Sequence, residues 1–296
     1  MLMSFTGFDS KDVQKKDICL SVIIPCFNQG KFIREAISAV EYCKDKIYEI
    51  IIVNDGSTEP LTCQVLNHLK QEGYLVIDQE NQGAAAARNQ GIKAAKGQYI
   101  LPLDADDKIK PEYISKGIEI LDKCSKVGVV YGDIIFFSDG ALEKILKVGE
   151  GYGKIQSISE KSFVWNLPNF NCNLLVLHCY MAVCAVFRKS IWEDCGGYDT
   201  HIPFSYGEDW EFWLRVAKKK WTFYHISEVL FYCRISQNSQ EKLWNVPQNR
   251  KIAVRYIRKK HLDLYLRALL SRTLSIWRTE GFRPLLARIR RRIRGN

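Results

Sequence analysis

Between residues 18 and 131, short apolar runs alternate with stretches of helical periodicity, and that alternation leaves few folds open. The apolar runs at 20–24, 50–53, 75–77 and 99–103 have the length and continuity of buried strands. Between them, 31–43 and 61–72 space their apolar residues at three and four, and 84–95 is rich in alanine, as helices are. Strand and helix in regular succession build a parallel sheet covered by helices, the α/β class. Ligands of such sheets bind beyond the carboxyl ends of the strands. Three polar clusters fall there: Pro25-Cys26-Phe27-Asn28, Asn54-Asp55-Gly56-Ser57 and Asp104-Ala105-Asp106-Asp107.

The last cluster puts three carboxylates into four positions. Like charges this close raise one another's pKa, so a fold keeps them with a divalent metal or basic partners nearby. A hard cation such as Mg²⁺ or Mn²⁺ prefers oxygen ligands and completes its shell with substrate phosphates. Taken alone, the residues leave two readings open, a metal-diphosphate site and an acidic turn capping the helix that begins near Pro111. The other clusters are equally two-sided. Asp55 suits a nucleobase or ribose, or a plain turn. Gln82-Gly83, four alanines, Arg88 and Asn89 suit a nucleotide at a helix start, or an ordinary alanine-rich helix. Further on, Gly196-Gly197-Tyr198-Asp199 precedes Glu208-Asp209-Trp210-Glu211 at the start of a helix expected over 210–219. An acid there is either a general base or a complement to the helix dipole.

After residue 131 the pattern is mixed, with strands expected at 134–138, 181–188 and 229–234, a turn at Asp139-Gly140, and no clear period over 141–161. His178, His201 and His225 lack ligand spacing and read as packed or surface residues, and Trp210 reads as core or as a face for an acceptor sugar. Composition settles the broad class. The 296 residues are 47% hydrophobic and 26% charged, enough for one large core and an appendage. Ten cysteines without a C-x-x-C pair predict neither a zinc site nor a disulfide framework. The net charge of +10 is local: residues 255–296 hold thirteen Arg or Lys against Asp263 and Glu280, or +11, which leaves −1 for the preceding 254. A near-neutral body argues against a nucleic-acid partner. No apolar run reaches the ~18 residues of a membrane span, and the start lacks the pattern of a secretory signal, so a cytoplasmic location is expected. Leu285, Leu286, Ile289 and Ile293 alternate with Arg288, Arg290, Arg291, Arg292 and Arg294. That pattern suits a helix over 260–296 lying on an anionic membrane at the inner face of the plasma membrane, or a solvated helix packed on the body.

Taken in order, Ser21-Val22-Ile23-Ile24-Pro25-Cys26-Phe27-Asn28, Val53-Asn54-Asp55-Gly56-Ser57, the stretch from Asn81-Gln82-Gly83 to Asn89, Leu103-Asp104-Ala105-Asp106-Asp107, Gly196-Gly197-Tyr198-Asp199 and Gly207-Glu208-Asp209 resemble the family-2 glycosyltransferases of GT-A fold. The resemblance covers about residues 18–240. It implies a GT-A-like single catalytic domain with a mainly parallel mixed sheet flanked by helices, plus a basic helical C-terminal tail. The expected boundaries are an extension over 1–17, a nucleotide-binding half over 18–131, an acceptor half over 132–240 and the tail over 241–296.

Residue by residue, the resemblance implies that Pro25, Phe27 and Asn28 form the first nucleotide loop, that Asp55 contacts the nucleoside, and that Arg88 and Asn89 line the donor pocket. It makes Asp104 the contact to ribose or sugar. It gives Asp106, with Asp107 beside it, the Mn²⁺ or Mg²⁺ on the diphosphate, and makes Asp209 the catalytic base with Glu208 as its neighbour. The implied activity is metal-dependent, inverting transfer from a nucleotide sugar, UDP-linked by preference, to a saccharide, lipid-linked glycan or protein acceptor in polysaccharide or cell-surface glycan synthesis. Two departures stand out. Ser236 occupies the place of the histidine in the family's R-x-H, and the Q-x-x-R-W of processive synthases is missing, so transfer of a single sugar is expected. Two alternatives are a nucleotide-sugar-binding protein of the same fold without transfer and a sugar nucleotidyltransferase. The latter ranks last because the loop 25–31 holds a single glycine.

Overall fold

Four parallel strands stand where the sequence predicts them in the computed structural model, which describes residues 18–43, 48–138, 153–235 and 247–280. They are β1 (Leu20–Cys26), β2 (Tyr48–Asp55), β3 (Leu75–Gln79) and β4 (Tyr99–Pro102), laid side by side in the order β3-β2-β1-β4. Helices α1 (Ile33–Glu41), α2 (Pro60–Gln71) and α3 (Ala84–Ala94) make the connections. β1 lies between two parallel neighbours, Ile23 opposite Ile51 on one side and Pro102 on the other. Buried on both faces, such a strand reads as a continuous apolar run, and Leu20, Val22, Ile23 and Ile24 are all fully buried.

The second half adds β5 (Lys108–Ile109), α4 (Glu112–Lys123), β6 (Val127–Ser138), β7 (Lys154–Ser159), β8 (Ser162–Asn166), α5 (Cys172–Leu177), β9 (Val186–Arg188), α6 (Lys189–Cys195), a 3₁₀ turn at Pro203–Ser205, α7 (Glu208–Lys218) and β10 (Thr222–Ile235). β9 pairs antiparallel with both β4 and β6, and β6 runs parallel to β10, with β5 at the edge. The result is one mixed sheet in the order β3-β2-β1-β4-β9-β6-β10-β5, with the β7–β8 hairpin attached to β6.

Three sequence expectations change here. β6 and β10 are much longer than 134–138 and 229–234. Their first halves contain Gly128, Gly132 and the mixed run Thr222-Phe223-Tyr224-His225, which weaken an apolar signal that pairing between the two strands overrides. The strand expected over 181–188 shrinks to β9, because Met181, Cys184 and Ala185 are buried in core packing without joining the ladder. Burial and strand pairing look alike in sequence. The turn expected at Asp139-Gly140, residues 141–152 and Ser236 lie outside the described residues.

Beyond β10 come α8 (Pro247–Lys260) and α9 (Leu262–Glu280), which pack onto the body. At their junction His261 is buried, with Nε2 3.0 Å from Glu211 Oε1 on α7. Glu211 is fully buried, accepts from Arg215 at 2.7–3.0 Å and pairs with Lys260 at 2.9 Å. Burial pushes its pKa up, but hydrogen bonds from His261 and Arg215, the Arg215 charge and Lys260 outweigh that and hold it at about 2. Tyr256 and Lys260 also reach Asp199, at 2.9 and 2.6 Å. Part of the tail's positive charge is thus spent on internal carboxylates behind α7. All ten cysteines are free thiols. Among the described residues no helix is long and apolar enough to cross a membrane.

Candidate active site

The loops after β1 and β2 are fastened to each other. Asn28 adopts a left-handed backbone (φ 54°), its Oδ1 accepts from the amides of Thr58 and Glu59 (both 2.9 Å), and its own amide donates to Ser57 Oγ (3.1 Å). Asparagine tolerates this conformation better than most residues. The arrangement leaves the Phe27 ring exposed beside a half-buried Pro25. Asp55, at the end of β2, is buried. Its Oδ1 accepts from Gln79 Nε2 (2.7 Å) and the Gln82 amide (2.9 Å), and its Oδ2 from the Gly83 amide (2.9 Å). The carboxylate therefore ties the end of β3 and the entry of α3 to the β2 turn. Gly56 (φ 71°) permits the approach, since a Cβ there would sit 2.7 Å from the Asn81 amide nitrogen.

The acidic turn after β4 divides its carboxylates. Asp107 is buried, and its Oδ1 accepts from the Arg234 amide of β10 (2.8 Å), so it faces the protein interior. Asp104 and Asp106 remain partly exposed. Asp106 Oδ2 lies 3.5 Å from Gln29 Nε2. Burial first, and the Asp104 charge second, push Asp106 up to about 6. Arg234 braces the turn: its Nε donates to the Asp106 carbonyl (3.0 Å) and its Nη2 to Glu35 (2.7 Å), and its guanidinium lies 4.5 and 4.6 Å from the ring centres of Phe32 and Phe137. Sequence reasoning gave this arginine no role, although it begins the Arg234-Ile235-Ser236 stretch.

Of the two residues expected to line a donor pocket, Arg88 is buried and Asn89 half-buried. Helical spacing puts Arg88 on the same face of α3 as Ala85 and Ile92, and all three are buried. Arg88 Nη2 donates to Asp104 Oδ1 and Nη1 to Glu208 Oε1, each at 2.7 Å, and the guanidinium lies 5.9 Å from the Tyr198 ring centre. One planar fork thus joins an acid of the first half to an acid of the second, which a point-charge lysine cannot do with the same geometry. Asn89 holds the loop between α6 and the 3₁₀ turn: Oδ1 accepts from the Tyr198 amide (2.7 Å) and Trp192 Nε1 (2.9 Å), and Nδ2 donates to the Tyr198 carbonyl (2.8 Å). Gly197 (φ 79°) makes room, as a Cβ there would stand 2.8 Å from Asn89 Oδ1.

Glu208 and Asp209 open α7, after Gly207 in a left-handed conformation. Glu208 has Arg88 as its counter-charge. Asp209 is partly exposed, its Oδ1 accepts from the Trp210 amide (2.7 Å), and burial first and Glu208 second raise it to about 7. A carboxylate poised there can take a proton near neutral pH. Trp210 does not face an acceptor: it is buried, and its Nε1 donates to the Leu175 carbonyl (2.6 Å). His225 is packed, with Nε2 2.8 Å from Asp133 and its ring stacked on Tyr131. Among the described residues no group of three or more His, Cys, Asp or Glu side chains is placed to hold a metal ion. With Asp104 paired to Arg88, the hard donor at the turn is Asp106, whose raised pKa a cation would relieve. One such carboxylate fits Mg²⁺ or Mn²⁺ whose remaining ligands are phosphate oxygens and water.

The sequence model described as Glycosyl transferase family 2 matches residues 21–196. A poly-beta-1,6-N-acetyl-D-glucosamine synthase of Staphylococcus aureus is 30% identical over 208 residues, 68% of this chain and 47% of the relative. The Staphylococcus epidermidis synthase is 29% identical over 184 residues, 62% of this chain and 42% of the relative. The chain thus spans less than half the length of these curated relatives. Among solved structures, S. aureus TarS 1-349 superposes with a TM-score of 0.58 at 18% identity, covering 89% of this chain and 74% of that one. TarS 1-349 in complex with UDP-GlcNAc gives 0.57 at 19%, covering 76% and 60%. At such identity the likeness speaks for the fold.

Proposed function

Because this chain belongs to glycosyl transferase family 2, we propose that it moves one sugar from a nucleotide-sugar donor, UDP-linked by preference, to a hydroxyl of a saccharide, lipid-linked glycan or protein acceptor. The observation that carries this reading is the Arg88 bridge, which couples Asp104 at the end of β4 to the acid pair that opens α7. In the proposed reaction the acceptor oxygen attacks the anomeric carbon while the bond to the diphosphate oxygen breaks, and configuration inverts. Asp209 takes the hydroxyl proton, and the nucleoside diphosphate departs with the bonding pair. Phe27 and Pro25 offer an apolar face to the base, and Asp55 keeps the Gln82-Gly83 loop in place around the nucleoside. Asp104 faces ribose or sugar, and Asp106 is the side chain that would hold Mg²⁺ or Mn²⁺. When bound, such an ion neutralises charge on the departing diphosphate. Asp107 and Arg234 hold the turn rigid from the protein side. Peripheral contact of the C-terminal helices with an anionic membrane belongs to the same reading and would bring the site to a lipid-linked acceptor.

UDP release from UDP-N-acetylglucosamine and from other UDP-, GDP- and dTDP-sugars, with Mn²⁺ or Mg²⁺, is the test. Acceptor-dependent release of UDP that EDTA abolishes and added metal restores is the expected outcome. Donor binding by calorimetry without release from any donor would instead favour a nucleotide-sugar-binding protein. A sharper expectation concerns pH. In the wild type the acid limb of kcat should have its midpoint near the Asp209 value of about 7, because only the carboxylate form accepts the proton. Glu208→Gln removes a charge that raises Asp209 and leaves Arg88 in place to lower it, so the limb should move to lower pH while activity at pH 8 persists. A limb that does not move would take the titration away from Asp209.

A further inference from the structure

Helix α9 has two apolar faces, and the body covers one of them. Ala268 is fully buried and His261 nearly so, on the side that packs against the body. On the opposite side Leu262, Leu266, Leu270, Leu274 and Trp277 are 46–64% exposed. At 100° per residue these five fall within about 120° of the helix circumference, centred about 180° from Ala268, and span roughly 22 Å of its length. A row of this size on the outside of a protein calls for an occupant.

The spacing favours a flat occupant over a second helix. A coiled-coil seam alternates steps of three and four, which keeps the apolar row facing its partner. Here the steps are four, four, four and three, so the row fans out by about 40° at each four-residue step. Such a fan gives a broad apolar face that suits a planar surface. Charge points the same way. Arg267 and Arg278 are exposed along one border of the face, and of the two acids at its azimuths Asp263 is paired with Lys218 (2.7 Å) and Glu280 is the last residue of the helix. In sequence, residues 281–296 add six arginines and no acid. A second copy would bring like charges together, whereas an anionic surface complements them.

We propose that this face of α9 inserts into the interfacial layer of an anionic phospholipid bilayer, with the four leucines and Trp277 entering the acyl boundary and the arginines remaining at the headgroups. The inference rests on the peripheral-membrane part of the function proposed above and names the surface responsible, which lies upstream of the 285–294 pattern seen in the sequence. The experiment is flotation of the full chain with vesicles of phosphatidylcholine and phosphatidylglycerol at 3:1, beside Leu266→Ser/Leu270→Ser, which alters two exposed side chains and leaves every charge in place. Wild-type protein is expected to float with these vesicles and much less with pure phosphatidylcholine, and the double variant to lose at least tenfold in partitioning. Equal flotation of variant and wild type, no flotation of the wild type, or a wild-type dimer that the variant converts to monomer would each overturn the proposal. Nucleotide release across the same screen of UDP-, GDP- and dTDP-sugars with Mn²⁺ or Mg²⁺, measured without vesicles on the same preparations, separates the two readings. It should be unchanged by the variant, and its absence in a wild type that still floats would remove the transferase reading while supporting this one.

Discussion

Asp209→Asn is expected to lower kcat for sugar transfer by about 10³-fold, within the usual contribution of a positioned general base, and to leave UDP binding and donor KM near the wild-type values. The substitution is close to isosteric, and an amide oxygen can still accept from the Trp210 amide, so α7 keeps its first turn. What is lost is proton affinity at the one carboxylate of the acid pair that Arg88 does not neutralise. Stability should respond in the opposite direction at alkaline pH. Asp209 sits above its ordinary value because burial and Glu208 disfavour its charged form, so its contribution to folding is greatest when protonated and is lost as pH rises from about 3.8 through about 7. The asparagine carries no such dependence, and the variant should therefore be at least as stable as wild type at pH 8. Thermal melts at pH 5 and pH 8 beside steady-state kinetics check both halves. Near-normal turnover would remove Asp209 from the chemistry.

Arg88→Met should cost about 3–5 kcal/mol of stability, because it leaves Glu208 buried without its cation and frees Asp104 from its only described cationic contact. The methionine fills most of the volume, so the loss reports charge and hydrogen bonding more than packing. Arg88→Lys should recover little, since one ammonium cannot reach two carboxylates from the geometry of a guanidinium fork. Arg88→Met/Glu208→Gln removes charge from both sides and should restore part of the stability, giving a coupling energy of about 1–3 kcal/mol in a double-mutant cycle by urea denaturation. Additive losses would mean that the bridge contributes little. Transfer activity should stay low in the double variant, because Asp104 and the start of α7 are no longer joined.

The first half of the fold was legible because its central strands β1 and β4 are almost wholly buried and its strands and helices alternate in regular succession. Leu20, Val22, Ile23 and Ile24 announce a central strand, and Asp55-Gly56 announces a turn that closes on Asn81. The second half hid its longest strands, since β6 and β10 owe their extent to each other and not to their own composition. Of the expected site residues, Pro25, Phe27, Asn28, Asp55, Asp104, Asp106 and Asp107 stand at or just beyond the ends of β1, β2 and β4, while Arg88 and Asn89 lie on α3 and Glu208 and Asp209 open α7. Asp107 faces Arg234, Asn89 faces Tyr198, and Arg88 faces both Asp104 and Glu208. A hint was available for Arg88 in its helical register with Ala85 and Ile92, which a reading of charge alone passes over.

By itself, then, the sequence determined the βαβ order, the family and the placing of carboxylates at strand ends, because these follow from local periodicity and from residue types that only certain turns accept. The tertiary structure decided which carboxylates are held by arginines and which stay partly open, how high Asp209 is driven, and that the leucine face of α9 is left outside. The arginine-held carboxylates depend on partners 16 to 128 positions away in the chain, and the height of Asp209 depends first on burial, with adjacent Glu208 adding to it. Burial and Coulomb interaction act through space, and no local pattern records them.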